Sequence, residues 1–194
     1  MPLSRYATAL PAALLGIALA APAAHAAPQP PPPVGQVDVS RYQGTWYQIA
    51  AVPRLFEIQC AKNVHAVYTL TAPGTVGVRN SCTTWLGNTS GVTGEAKALD
   101  SSGGRLNVSF VKTGGSYRHS DDANYIVTGL DPDYRWAVIT DSDRRSGFVL
   151  SRTPELPAGL RPAILASIDA AGLDACDFLV TRQDAATVPT GSFC

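Results

Sequence analysis

The sequence has little charge, since Asp, Glu, Lys and Arg make up only 15% of its 194 residues, where about a quarter is usual in soluble domains. Fifteen basic residues are balanced by 15 acidic ones. A nucleic-acid-binding domain needs clustered basic residues, because phosphate contacts supply much of its affinity. The composition therefore excludes a basic nucleic-acid-binding surface, and it excludes an acidic or polybasic tail, which would be a run of like charges.

Histidine is scarce, with three in the chain, and motifs for metal binding or catalysis are lacking. His65 and His119 lack paired-ligand spacing such as H-E-x-x-H. Asp141 and Asp143 with Gly147 are weakly similar to a calcium loop, but the glutamate that ends an EF-hand is missing, so a hairpin turn is expected there. No serine stands in a G-x-S-x-G context. We predict no catalytic residue, no metal site and no cofactor.

Long apolar runs are lacking except near the N terminus. Residues 7–21 are apolar, follow Arg5 and precede Ala24-His25-Ala26, an A-x-A cleavage pattern. The alternative, a retained membrane helix, would need ~20 apolar residues without the prolines that interrupt this run. We predict that residues 1–26 are a signal peptide and that the protein is exported, either secreted or in the cell envelope. No cysteine lies near the expected cut, so neither a lipid anchor nor another stable membrane anchor is expected.

Proline is concentrated just after this segment, with five prolines between residues 28 and 33. Such a run favours extended polyproline II structure and acts as a stiff spacer. A proline-rich ligand for an SH3-type domain is the alternative. We predict a spacer over residues 27–36 and one folded domain over residues 37–194.

Short alternating apolar and polar runs, separated by turn residues, fill residues 45–152. Strands at this spacing predict an antiparallel sandwich or barrel, and about eight strands would close around one small ligand. The period then changes, because Leu160, Ile164 and Ile168 recur every four residues and predict a helix with Gly172 near its end. The predicted fold is all-β: an eight-stranded antiparallel up-and-down β-barrel with one C-terminal α-helix.

Three motifs resemble those of the lipocalin family and occur in that family's order. Residues 44–47 resemble the G-x-W-Y motif that opens its first strand. Residues 130–136 resemble the turn between its sixth and seventh strands, and residues 148–154 resemble its last barrel strand. The flanking residues are similar to the bacterial lipocalin and apolipoprotein D branch, and the resemblance covers about residues 37–183. The motif residues are Gly44, Trp46, Tyr47, Asp133, Tyr134 and Arg152.

Two of these motif residues have chemistry that suits a barrel floor. A tryptophan after a glycine at the start of a barrel strand can plug the closed end. An arginine late in the last strand can lie across its ring, a cation–π contact of ~0.5–2 kcal/mol. The resemblance implies that Trp46 and Arg152 pair in this way, so we expect them to be structural rather than ligand-binding residues.

The four cysteines are Cys60, Cys82, Cys176 and Cys194. An even number in an exported domain predicts disulfides, and four cysteines allow three connectivities. The predicted hairpin centred near Ala72 brings the neighbourhoods of Cys60 and Cys82 together, which favours Cys60–Cys82 with Cys176–Cys194. Resemblance to the apolipoprotein D branch implies the rival pairing, Cys60–Cys194 with Cys82–Cys176.

The barrel interior is the remaining space for a function. An apolar cavity with a few polar anchors is the usual small-ligand site, whereas a core filled by side chains is the alternative. Asn80 and the hydroxyls of Tyr68 and Tyr125 could be the anchors, and the resemblance places Tyr68, Asn80 and Phe148 in the pocket. The predicted ligand-binding residues are Phe56, Ala66, Tyr68, Val78, Asn80, Phe110, Tyr125, Trp136 and Phe148.

The resemblance implies a secreted protein that binds or transports a small hydrophobic ligand. A fatty acid or a lysophospholipid is the expected class, with a role in envelope lipid traffic or maintenance. One alternative is an enzyme of the same fold, a lipid isomerase, which would need a nucleophile or an acid–base pair in the pocket. Another is a module that binds a partner at the barrel mouth without a small ligand.

Overall fold

The computed structural model describes Met1, residues 29–187 and residues 190–194. Apart from Met1, the predicted signal peptide lies outside the described residues. Within the described part of the chain, no helix has the length and apolarity that a membrane crossing requires.

Eight antiparallel strands close a barrel, which confirms the predicted fold. Each barrel strand pairs with its neighbour along the chain, and the last, β10, pairs with the first, β1. The barrel consists of β1–β5 and β8–β10, while β6 and β7 form a separate small hairpin. The strands are β1 (Gly44–Ala51), β2 (Cys60–Ala72), β3 (Thr75–Thr84), β4 (Thr89–Ala98), β5 (Arg105–Ser109), β6 (Lys112–Thr113), β7 (Ser116–Tyr117), β8 (Tyr125–Leu130), β9 (Trp136–Thr140), β10 (Gly147–Ser151) and β11 (Leu179–Val180).

The β2–β3 hairpin shows how the alternating sequence builds the barrel wall. Gly74 has a φ of +71°, a conformation that favours glycine and lets the chain reverse tightly. In the resulting register Ala66 lies opposite Asn80 and Tyr68 lies opposite Val78. Because side chains alternate between the two faces of a strand, these four residues share the inner face.

The C-terminal helix, α2 (Arg161–Ala170), packs against the outside of the barrel. Its Ile164 and Ile168 are fully buried in a cluster with Val138 of β9. Gly172, with a φ of +73°, follows the helix, and its amide donates to the carbonyl of Asp169 at 2.8 Å. The period of four and the glycine stop therefore predict this helix correctly.

β11 extends the sheet beside β1. β2 pairs with β1 only over Gly44–Tyr47, and Val180 pairs with Ala50 farther along the same edge. Phe178, which precedes β11, and Phe193 are both buried against the outer face of the barrel together with α2. The tail of the chain thus covers an edge that β2 leaves open.

The described part of the predicted spacer, residues 29–36, packs against the barrel. The side chain of Pro31 is fully buried, and the amide of Val34 donates to the carbonyl of Val127 at 2.8 Å. Arg144 Nη1 donates to the carbonyl of Gln29 at 2.9 Å. Contact with the barrel therefore begins before residue 37, because the side chain of Pro31 is buried there.

Both disulfides follow the pairing that the hairpin favours. Cys60 is bonded to Cys82 across β2 and β3, and Cys176 is bonded to Cys194 near the first residue of α2. The Cα atoms are 5.6 Å and 4.7 Å apart, respectively. The rival pairing suggested by the resemblance is not the one in this structure.

Candidate ligand-binding site

Trp46 and Arg152 close one end of the barrel. Trp46 is 0% exposed, and Arg152 Cζ lies 3.9 Å from the centroid of its ring. Arg152 Nη1 donates to the carbonyls of Gln43 and Thr45 at 2.7 and 3.1 Å, and Nη2 donates to that of Arg41 at 2.6 Å. The guanidinium thus binds the chain that enters β1, while Trp46 plugs the floor.

Gly44 of the same motif makes room for this arginine. Its φ is +93°, and a Cβ atom at this position would lie 3.4 Å from Arg152 Nη1. A side chain here would therefore be strained by the backbone conformation and would contact the guanidinium. Tyr47, the last residue of the motif, packs on the outer cluster, so the motif residues divide between the floor and the outer wall.

The turn before β9 supports the closed end through Asp131 rather than Asp133. Arg135 donates to both oxygens of Asp131, each at 2.8 Å, and the amides of Asp133 and Arg135 also donate to Asp131 Oδ2. The Arg135 guanidinium is the main cause that lowers the pKa of the Asp131 carboxyl. Tyr134, with a φ of +59°, accepts a hydrogen bond at its hydroxyl from the amide of Asp38 at 2.8 Å.

A short helix, α1 (Val39–Tyr42), lies across the closed end. The Asp38 side chain accepts from the amides of Ser40 and Arg41 and so caps this helix. The Tyr42 carbonyl accepts from Trp46 Nε1 at 2.8 Å, and the rings of Tyr42 and Trp46 lie 4.8 Å apart. The phenol of Tyr42 is therefore placed on the inner side of the floor.

A cavity of about 650 Å³ occupies the barrel interior, a volume within the usual range for small-molecule sites. Eight of the nine predicted ligand-binding residues lie in its wall. They come from the mouth and from β2, β3, β8 and β10, together with the end of β5. The eight are Phe56, Ala66, Tyr68, Val78, Asn80, Phe110, Tyr125 and Phe148.

Trp136, the ninth, is corrected by the structure. It packs with Val138, Ile164 and Ile168 between the barrel and α2, whereas Ala137 belongs to the inner cluster that contains Trp46. Because β9 alternates between its two faces, placing Ala137 inside puts Trp136 outside. The aromatic ring serves as packing for the helix rather than as cavity wall.

Three tyrosine hydroxyls meet in the cavity. Tyr125 Oη lies 3.0 Å from Tyr42 Oη and 3.2 Å from Tyr68 Oη, and all three residues line the cavity. Burial is the main cause that raises the pKa of each phenol, that of Tyr68 to about 12. Sequence patterns do not identify Tyr42, because it precedes β1 and belongs to no alternating run. We call Tyr42, Tyr68 and Tyr125 the tyrosine trio.

Asn80 adds a further polar group to the cavity wall. Its side-chain oxygen is buried and has no hydrogen-bond partner among the described residues. An unpaired buried acceptor of this kind costs free energy unless something satisfies it. A donor on a bound ligand would remove that cost.

The open end of the barrel carries charged and exposed apolar side chains. Gln48 Nε2 donates to Glu57 Oε2 at 3.2 Å, and burial raises the pKa of the Glu57 carboxyl. Trp85 Nε1 donates to the carbonyl of Ile58 at 2.8 Å, which ties two rim loops together. The exposed apolar rim consists of Leu55, Phe56, Ile58, Trp85, Leu86, Phe110 and Val111.

The two histidines of the barrel have separate local partners. His65 Nδ1 lies 2.9 Å from the carbonyl of Asn63, and His119 Nε2 lies 3.1 Å from a Glu95 carboxylate oxygen. Over residues 29–187 and 190–194, no three His, Cys, Asp or Glu residues are grouped so that they could hold a metal ion. All four cysteines are in disulfides, so none offers a free thiol.

Comparison with known sequences gives a consistent result. A family model described as a lipocalin-like domain matches residues 37–183. The outer membrane lipoprotein Blc of Escherichia coli K12 is 30% identical over 182 residues, which cover 88% of this chain and 97% of that protein. Temperature-induced lipocalin-1 of Arabidopsis thaliana is 33% identical over 123 residues, which cover 62% of this chain and 65% of that protein.

Solved structures share the barrel at lower identity. Insecticyanin from the tobacco hornworm Manduca sexta superposes with a TM-score of 0.61 at 21% identity, covering 84% of this chain and 93% of that one. The amine-binding protein of Rhodnius prolixus, solved as a tryptamine complex, gives a TM-score of 0.56 at 18% identity, covering 77% and 83%. These likenesses support the fold.

Proposed function

The chain belongs to the lipocalin-like family, and from that premise we propose that it binds and carries a small hydrophobic ligand inside the barrel. The observation that carries this proposal is the cavity of about 650 Å³, which is closed by Trp46 and Arg152 at one end. Binding requires no bond chemistry, because removing apolar ligand surface from water is favourable by ~25 cal/mol per Å².

A fatty acid or a lysophospholipid is the ligand class that we propose. The cavity is lined by apolar side chains such as Val76, Val78 and Leu106. Its carboxylate and guanidinium side chains, Arg54, Glu57 and Asp141, belong to the rim. An acyl chain would then lie inside the barrel while a charged head group stays near water at the mouth. This arrangement avoids burying an unpaired charge, which would be costly.

A role in lipid traffic or maintenance at the cell envelope is the further part of this proposal. The relative from Escherichia coli is named an outer membrane lipoprotein. Disulfides form and persist in oxidising compartments, and the two in this chain support export. The predicted signal peptide over residues 1–26 is the proposed route.

The direct test is titration of delipidated protein with a fluorescent fatty acid, followed by displacement with unlabelled fatty acid and lysophospholipid. We expect saturable binding at one site per chain. Ala66→Phe, which fills the inner face of β2, should weaken binding at least tenfold. Thr69→Phe is the matched control, because Thr69 is exposed on the same strand, and it should bind as the original chain does.

Correct folding of each variant is checked by near-UV circular dichroism and by the absence of free thiols. If the folded protein binds no acyl ligand, the proposed function is contradicted. Equal weakening by Ala66→Phe and Thr69→Phe would show that the ligand lies elsewhere. The isomerase alternative lacks its best nucleophile, because both pairs of cysteines are oxidised.

A further inference from the structure

The tyrosine trio holds one more proton than its internal contacts can use. Each phenol carries one proton, and the two contacts at 3.0 and 3.2 Å each use one. Among the described residues, no further hydrogen bond joins the three hydroxyls to another group. One O–H group is therefore available to a molecule in the cavity that Tyr42, Tyr68 and Tyr125 line.

We propose that the tyrosine trio is a polar subsite that donates a hydrogen bond to an uncharged oxygen at the inner end of the bound ligand. The inference rests on the proposed function, since it concerns the orientation and class of a ligand in the same cavity. A chain that ends in a methyl group at this point would leave the buried O–H unsatisfied, which costs free energy. A hydroxyl, ketone or ester oxygen would satisfy it.

The surroundings of the trio disfavour a negative charge there. Burial raises the pKa of all three phenols because it destabilises their anions, and a carboxylate at the same place would meet the same penalty. The guanidinium of Arg152 is engaged by the carbonyls around α1 and by the Trp46 ring. The inner oxygen of the ligand is therefore neutral, and a charged group belongs at the mouth beside Arg54.

Asn80 is a second polar group in the cavity wall, in addition to the tyrosine trio. It is two residues from Val78, which lies opposite Tyr68, so the backbone positions of Asn80 and Tyr68 are offset by roughly 7 Å along the strands. Its buried side-chain oxygen is an acceptor that has no partner among the described residues. The favoured ligand is thus an oxygenated acyl lipid, with a hydroxyl or carbonyl in the part of the chain that lies deepest.

Matched pairs of fatty acids test this inference. The dissociation constants of dodecanoic and ω-hydroxydodecanoic acid, and of hexadecanoic and ω-hydroxyhexadecanoic acid, are measured on the intact protein and on a triple variant. The triple variant combines Tyr42→Phe, Tyr68→Phe and Tyr125→Phe, because Tyr125→Phe alone would free the O–H groups of Tyr42 and Tyr68 for the ligand. We expect the preference for the hydroxylated member of the best-fitting pair to fall by about three- to tenfold in the triple variant, the size of one hydrogen bond.

Tyr47→Phe is the control, because Tyr47 packs on the outside of the barrel and its hydroxyl is not part of the cavity. It should leave the preference unchanged, and thermal unfolding of both variants reports whether they fold. An unchanged preference in the triple variant overturns the subsite while leaving the proposed function standing. Failure of all four acids to bind the intact protein overturns the proposed function itself.

Discussion

At the closed end of the barrel Arg152 and Asp131 each have several hydrogen-bond partners, whereas at the open end large apolar side chains face water. Arg152 donates to four carbonyls, and Asp131 accepts four hydrogen bonds. The two tryptophans show the contrast most simply, because Trp46 is 0% exposed and Trp85 is 75% exposed.

This difference separates stability from access to the cavity. Regions with many buried contacts open only with the whole fold, whereas regions with few contacts open at low cost. The closed end should therefore hold the barrel together. The rim should move enough to admit a ligand, and its apolar side chains would contact that ligand on the way in.

Replacement of the buried tryptophan is expected to have the largest effect. Trp46→Ala should lower the free energy of unfolding by about 3–5 kcal/mol, because a large aromatic side chain is lost from a packed site. Trp85→Ala is the matched change at the open end and should cost less than about 1 kcal/mol. Urea denaturation of the two variants measures both values, and equal losses would contradict the division between the ends.

Removal of the disulfide between Cys60 and Cys82 should have the next largest effect on stability. This bond stabilises the open end, whereas side-chain packing stabilises the closed end. It closes a segment with a sequence separation of 22, so its removal should cost about 3 kcal/mol on the chain-entropy account. Cys60→Ser with Cys82→Ser is compared with Cys176→Ser with Cys194→Ser, which opens a segment with a separation of 18.

The two double variants should lose similar stability, because their loops are of similar length. Only the first should also weaken acyl-ligand binding, since Cys60 and Cys82 line the cavity. Denaturation curves and ligand titrations of both double variants provide the comparison. Equal binding by the two would show that the rim keeps its shape without the bond.

Asp131 at the closed end and Asp143 at the open end allow the comparison to be tested by pH. The expected effect on the free energy of unfolding is of intermediate size. Arg135 holds the pKa of the Asp131 carboxyl below its usual value, so the ionised form stabilises the fold. That contribution is complete above the unfolded pKa of about 3.9 and is lost as the pH falls through the folded value. Asp131→Asn should cost about 1–3 kcal/mol at neutral pH, with a smaller difference in acid.

Asp143→Asn is the control at the open end. Asp143 and Arg145 are 3.8 Å apart and both are largely exposed, and such pairs contribute ~0–1 kcal/mol. The free energy of unfolding of each variant is measured at neutral pH and in acid. The cost of Asp131→Asn should depend on pH, whereas that of Asp143→Asn should be small at both. A cost for Asp131→Asn that stayed constant as the pH fell would refute the ionic origin of its effect.

The side chains of the closed end are easier to predict from sequence than those that line the cavity. Trp46 and Arg152 stand in local motifs, and the barrel follows from alternation and turn residues. The sequence does not indicate that Trp136 faces outward, because every residue of β9 is buried and such a run gives no periodic signal of inside and outside. Tyr42 reaches the cavity from α1, outside any strand, so only tertiary packing shows its role.

The smallest expected effect on stability belongs to the rim. Phe56 is 62% exposed and still lines the mouth of the cavity, so Phe56→Ser should change the unfolding free energy by no more than about 0.5 kcal/mol. The same change should slow ligand association or weaken affinity by about threefold, because apolar contact at the mouth is lost. Leu86→Ser is the control, since Leu86 is 87% exposed and does not line the cavity. Stopped-flow binding of a fluorescent fatty acid distinguishes the two, and a large loss of stability in Phe56→Ser would mean that the open end also holds the barrel.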